Sequence, residues 1–587
     1  MSSLRVWAPN ADAVTLVIGG DTVTLHRDDG GWWGGGGQHP AGVDYGFRLG
    51  TDPQVLPDPR SPWQPEGVHG RSRSYDHDAF AWTDAGWRGV HLPAAVLYEA
   101  HVGTFTPEGT FDAAIAHLDH LVELGVDAVE LLPCNAFSGV HGWGYDGVDL
   151  FAVHAPYGGP DGLKRFVDAA HSRGLGVVMD VVYNHLGPDG NYLSRFGPYF
   201  TDAHTTPWGP AVNLDGPGSD EVRAFLLDNA LMWLRDYHCD GLRLDAVHAL
   251  ADTRAVTLLE ELAEAVESLG AALGRPLFAI AESDLNDPRL VRAREAGGLG
   301  LHAVWDDDVH HALHASLTGE RAGYYVDFGP LPVLAKALTS VYVHDGTYST
   351  FRGRRHGRPA GDLPGSRFVT FLQDHDQVGN RAAGERLAHL TSPGLARVGA
   401  LLLLTAPYVP MLFMGEEWAA STPWLFFSDY ADPALGAAVT EGRRREFADH
   451  GWDSSDVPDP QDPRTWRRSV LAWEERDRGE HAAMLDLYRR LIALRRAIPA
   501  LRDGRRDRCT VAVDPAAGTL LMFRGGSRDV AVAANVSDSP ATVELPTAGE
   551  IRLATSAGGT ITGRRLVLPA ESGTVVSLAS GPSVSGS

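Results

Sequence analysis

The stretch DEVRAFLLDNALMWLRDYHCDGLRLDAV, residues 220–247, decides the fold. Up to His238 it has the apolar spacing of a helix. GLRLDAV (241–247) is then a strand-length apolar run, interrupted only by Arg243 and Asp245. A helix that delivers the chain into a buried strand is one step of a β-α alternation, and the step recurs on both sides. Upstream lie the strand candidates AVLYEAHV, DAVELLP and LGVVMDVVYNH. The helical segments between them, TFDAAIAHLDHLVELG and LKRFVDAAHSRG, each stop at a glycine. In the first, Phe111, Ile115, Leu118 and Val122 are expected on one face. Downstream follow the helix TRAVTLLEELAEAVESLG, the strands LFAIAESD, LHAVWDDD, RFVTFLQDHD and VPMLFMGEE, and a closing helix, MLDLYRRLIALRRAI. Eight such alternations predict an α/β fold, a parallel (β/α)8 TIM barrel with insertions, over residues 94–505. Parallel strands buried on both faces account for the nearly continuous apolar runs.

The flanks read differently. VWAPNADAVTLVI, DTVTLHR and YGFRLG are short, β-branched or aromatic, and punctuated by Gly, Asn and Asp, so residues 1–93 are expected to form a β-sandwich. It ends in a proline-rich linker, LPDPRSPWQPEGVHG, expected to wrap over a surface. After residue 505, TVAVD, TLLMFRG, DVAVAANV, ATVEL and LVLP predict a C-terminal antiparallel β domain over 506–587, whose tail SGPSVSGS is expected to be disordered.

Composition narrows the function. A chain of 587 residues needs more than one core. A formal net charge of −25 argues against nucleic acid and fits a neutral substrate. No signal peptide or membrane span is visible, since VGALLLLTAPYVPMLFMG is broken by Pro407 and Pro410. Cys134, Cys239 and Cys509 are odd in number and far apart, which suits a reducing cytoplasm and no disulfide framework. A monomer or homodimer is expected.

In a barrel of this kind the active site lies where the strands end. Here those ends carry Asp180, Asn184 and His185; Arg243 and Asp245; Glu282 and Asp284; Asp306, Asp307 and Asp308; Asp374, His375 and Asp376; and Glu416 and Glu417. Each motif alone reads as an ordinary strand-end salt bridge, Asx-turn or helix cap. Convergence of acids on one mouth points instead to chemistry. Strand side chains alternate, so Arg243 and Asp245 share the inner face while Leu242 and Leu244 face the helices. A guanidinium beside Asp245 keeps it ionised, as a nucleophile at an anomeric carbon must be. Glu282, after the apolar LFAIA, is placed to stay protonated. Neighbouring strands put two carboxyls near the ~5–5.5 Å of retaining glycosidases. Asp376 lies across the mouth, where it could face developing positive charge, and Trp143 or Tyr145 could stack on a sugar ring. His310 and His314, four apart on a helix, suggest a metal pair, but an acidic first turn complementing the helix dipole, or sugar contact, is expected instead.

At this point DVVYNH (180–185), GLRLDAVH (241–248), AESD (281–284) and FLQDHDQVGN (371–380) together resemble the α-amylase superfamily of glycoside hydrolases. The resemblance implies Asp245 as nucleophile, Glu282 as general acid/base and Asp376 as transition-state stabiliser. It implies sugar contacts at Tyr145, His185, Arg243, His375 and Gln377. His248, Asp306 and Trp418 are candidates for further substrate contacts by position. VWAPNADAVTL, LYEAHVGTFTPEGTF, WDDDVHHALH and FMGEEWAASTPWLFFSDY look like members that cleave the α-1,4 bond between a malto-oligosaccharide and a terminal trehalose. A glucan branching enzyme and a non-catalytic carbohydrate-binding protein are the competing readings. Some members of the superfamily bind calcium near the third strand. Here LGPDGNYLSRFGPYF is poor in carboxylates, so no metal and no cofactor are expected.

Overall fold

The computed structural model describes residues 2–206, 209–449 and 457–579. Its centre is a closed barrel of eight strands: β1 (Leu97–Ala100), β2 (Ala128–Leu131), β3 (Gly176–Val181), β4 (Gly241–Leu244), β5 (Phe278–Ala281), β6 (Ala303–Trp305), β7 (Phe368–Phe371) and β8 (Val409–Phe413). Every neighbouring pair is parallel, and β1 closes on β8 with Leu97 opposite Met411. All eight fall within the expected segments. The alternation sorts two cores. Leu97, Val178, Phe278, Ile280, Trp305 and Phe371 fill the barrel, while Leu242 and Leu244 join the core shared with the surrounding helices.

The helices differ from expectation where local geometry intervenes. The first breaks into Phe111–Ile115 and Leu118–Leu124, stopped by Gly125 at φ 92°. The break turns the second half, so Leu118, Leu121 and Leu124 are buried and Val122 is 42% exposed, not on the shared face. The helix expected over TRAVTLLEELAEAVESLG starts at Leu258 and runs past Gly270 to Leu273. A capping box between Thr257 and Glu260 fixes its start, and Gly274 in the left-handed region ends it.

The N-terminal strands form antiparallel sheets, one of four strands centred on Val14–Ile18 and Asp44–Leu49, with Leu16 opposite Phe47. The proline-rich linker lies on the barrel: Arg60 pairs with Asp228, and His69 contacts Tyr192 and Asp189. Beyond residue 505 the chain forms a five-stranded and a three-stranded antiparallel sheet. That unit is fused to the barrel. Buried Arg524 donates to the carbonyls of Thr405 and Asp503, and a Cβ on Gly573 would stand 2.2 Å from Leu401. The tail 580–587 lies outside the described residues. Among the described residues no helix is long and apolar enough to cross a membrane. Cys134, Cys239 and Cys509 are buried free thiols.

Candidate active site

A cleft of about 990 Å³ opens at the carboxyl ends of the strands. Tyr145, His185, Arg243, Asp245, His248, Glu282, His375 and Asp376 are among its lining residues.

Arg243 organises its floor. The side chain is 2% exposed. One terminal nitrogen lies 2.9 Å from both Asp180 and Asp245, and the other is 3.5 Å from Glu282. A single guanidinium thus touches three carboxyl groups from β3, β4 and β5. Asn184 donates to Asp245 at 2.8 Å and also to its backbone carbonyl, which fixes the rotamer of that acid. Immediately after Asp245 the backbone turns through Ala246 at φ 40°, a left-handed conformation that costs a non-glycine residue about 1 kcal/mol or more. The turn aims the Ala246 N–H at Glu282.

Glu282 therefore receives one backbone donor and a distant guanidinium. Burial drives its pKa up to about 8, helped by the charge of Asp245 and opposed chiefly by Arg243. The floor pairs a fully coordinated carboxylate, Asp245, with a carboxyl that holds its proton at neutral pH. Such a pair can supply a nucleophile and a general acid. Asp180 is held at about 6, raised by burial and restrained by Arg243, and accepts from the Tyr145 hydroxyl. Tyr145 stacks on His375 with ring centres 4.9 Å apart. His375 is anchored through its ring and backbone nitrogens to Glu99. Burial lowers the His375 pKa to about 4 and raises that of Glu99 to about 8, so neither charge is favoured there. Asp376, also in the cleft lining, is exposed and accepts from Asn380 at 2.7 Å.

Three expected contacts are not in the cleft lining. Asp306 is 1% exposed and caps the helix Asp307–Thr318 by accepting from the Val309 N–H. Trp305 points into the barrel, so period two sends Asp306, the extended residue after it, outward. Burial, with help from the charge of Glu282, raises the Asp307 pKa. Trp418 is fully buried outside the barrel against His120 and Trp473, because it ends a short helical turn after β8 rather than lining the mouth. Gln377 accepts from the Tyr324 hydroxyl and is not among the lining residues. His310 bonds the Leu372 carbonyl and Tyr325, and His314 bonds Glu320, so both serve the fold. Among the described residues no group of three or more His, Cys, Asp or Glu is arranged to hold a metal ion.

Sequence reasoning missed part of the wall. Phe200 and Pro210 come from a hairpin of Phe200–Thr206 and Gly209–Val212, and Phe426, Tyr430 and Arg443 from the segment after β8. Tyr430 hydrogen-bonds buried Asp146. Nothing periodic marks these insertions. Glu99 was legible: it is the inward acid of β1, two residues from Leu97.

The family described as the alpha amylase catalytic domain matches residues 73–202, and a domain of unknown function, DUF3459, matches 506–575. A malto-oligosyltrehalose trehalohydrolase of Arthrobacter ramosus is 56% identical, over 94% of this chain and 95% of its own length. One from Saccharolobus solfataricus is 44% identical, over 84% and 85%. A Salmonella typhimurium crystal structure with a provisional alpha-amylase assignment superposes with TM-score 0.90 at 39% identity, covering 98% of this chain and 97% of that one.

Proposed function

Because the chain belongs to the malto-oligosyltrehalose trehalohydrolase family of α-amylase-type glycoside hydrolases, we propose a retaining mechanism for its cleavage of the α-1,4 bond next to a terminal trehalose. Glu282 protonates the glycosidic oxygen as Asp245 attacks the anomeric carbon. Trehalose departs and a covalent glycosyl-enzyme remains. Glu282, now a base, takes a proton from water, which displaces Asp245 and frees a malto-oligosaccharide of retained configuration. Asp376 faces the charge that develops on the ring, and Tyr145, His185, Arg243 and His375 surround it. His248, exposed on the cleft edge, is placed to meet the departing trehalose. Every step is carried by side chains, so no cofactor enters.

The carrying observation is the single guanidinium shared by Asp245 and Glu282, which limits how far apart the two carboxyls can stand. We assign residues 1–93, 94–505 and 506–587 to three domains, of which the middle one catalyses. A cytoplasmic monomer or homodimer that does not bind nucleic acid is the accompanying expectation, in keeping with the charge of −25 and three free thiols.

Incubation with maltotriosyl-trehalose and with maltopentaose, followed by chromatography, tests the reading. Trehalose and maltotriose from the first, with slow attack on the second, are expected. New α-1,6 branches on amylose would instead mark a branching enzyme. Asp245→Asn should lower turnover by about four orders of magnitude or more while thermal melting stays near wild type. Near-normal turnover in that variant would refute the assignment.

A further inference from the structure

Arg243 touches three carboxyl groups, yet its hold is uneven. One nitrogen makes short contacts to Asp180 and Asp245, while the contact to Glu282 is longer, at 3.5 Å. Its Nε is buried and has no acceptor among the described residues. Hydrogen bonds alone would let the guanidinium pivot about its strong corner, away from Glu282. Something else must restrain its plane.

The restraint on the page is Trp305. The Arg243 guanidinium carbon lies 4.3 Å from the centre of that ring, against 5.9 Å for the Tyr145 ring. Trp305 is 2% exposed, at the inward end of β6. Its own indole N–H is buried without a partner among the described residues. A buried orphan donor is a liability that phenylalanine would avoid. The indole is therefore not present for its hydrogen bond. What it offers over phenylalanine is the stronger negative face for a cation.

We propose that Trp305 is a positioning residue for the hydrolysis: its indole face holds the Arg243 guanidinium where one nitrogen serves Asp180 and Asp245 while the other reaches Glu282. The inference rests on Glu282 being the acid/base. If the ring is weakened, the short contacts persist and the long one is lost first. Glu282 then loses its chief ionising influence. It should hold its proton to higher pH and serve less well as the base of the second step.

Two replacements test this. Trp305→Leu removes the face, and a multiply fluorinated tryptophan at 305 keeps the shape but weakens the face, so folding is preserved. Both should lower kcat by about ten- to thirtyfold, the equilibrium factor of a desolvated cation–π contact. Both should also move the alkaline limb of the pH–rate profile upward, with Trp305→Phe intermediate. A fluorinated protein with wild-type rate and limb overturns the proposal, as does Trp305→Phe as damaged as Trp305→Leu. Glu282→Gln, run in parallel, separates the two levels. If it retains turnover, the acid/base reading itself is wrong. If it is inactive while fluorination changes nothing, only the role of Trp305 falls.

Discussion

Glu282 and Asp245 are both carboxyl groups on adjacent strands, and their surroundings set them apart. Asp245 has a guanidinium nitrogen at 2.9 Å and an amide donor at 2.8 Å, while Glu282, its side chain about a fifth exposed on the cleft, has a guanidinium nitrogen only at 3.5 Å. A carboxyl whose pKa sits near 8 in the folded chain and near 4.5 when unfolded binds more protons in the native state between those values. Its contribution to stability is complete below the unfolded value and is lost as pH rises toward 8. Glu282→Gln should therefore be inactive yet more stable at neutral pH, by roughly 1–3 kcal/mol after allowing for partial solvent access. Melting curves of the two proteins should converge near pH 4 and separate toward pH 8. The same group predicts the alkaline limb of wild-type hydrolysis near pH 8, because the first step needs the protonated acid. A rate unchanged up to pH 10 would contradict that role.

At the scale of the element, period two along a strand was the most productive signal, and its neglect produced the clearest error. It places Arg243, Glu282, Asp180 and Glu99 on inner faces without any coordinates. Trp305 faces into the barrel, so the same alternation turns Asp306, the next residue, away from the mouth. Trp418 was illegible for another reason: after β8 the chain leaves strand geometry for a short helical turn, and alternation no longer says where a side chain points. The split in the first helix likewise hides in an unbroken apolar pattern, since Ala116 and His117 carry no breaker.

The opposite ends of the strands carry a different network. Asp240, just before β4, accepts from Trp87, Arg275 and His171, and His171 also reaches Asp84. This ties the segment that enters the barrel to the start of two strands, far from the cleft. Asp240→Ala leaves a largely buried guanidinium unpaired. It should cost about 3–5 kcal/mol of stability while kcat/KM at permissive temperature stays within about twofold of wild type. A large loss of activity with no loss of stability would contradict the separation of the two ends.

For the whole molecule, barrel, flanking β units and acidic mouth were readable because each rests on periodicity or on clustered charge. The cleft walls were not, because the paired strands Phe200–Thr206 and Gly209–Val212 and the segment after β8 are insertions whose positions follow from packing. The seam between the last sheets and the barrel has its own implication. Two buried cationic side chains, Arg524 and Arg495, donate to carbonyls at the end of the helix Pro393–Thr405, and side-chain-free Gly573 lets backbone ride against Leu401. Such a joint does not come apart into self-sufficient pieces. A chain ended at residue 505 would bare oily surface and strand the Thr405 carbonyl, so it should be recovered as aggregate. The last eighty or so residues would then be inherited with the enzyme as part of its chassis rather than as an accessory to be shuffled.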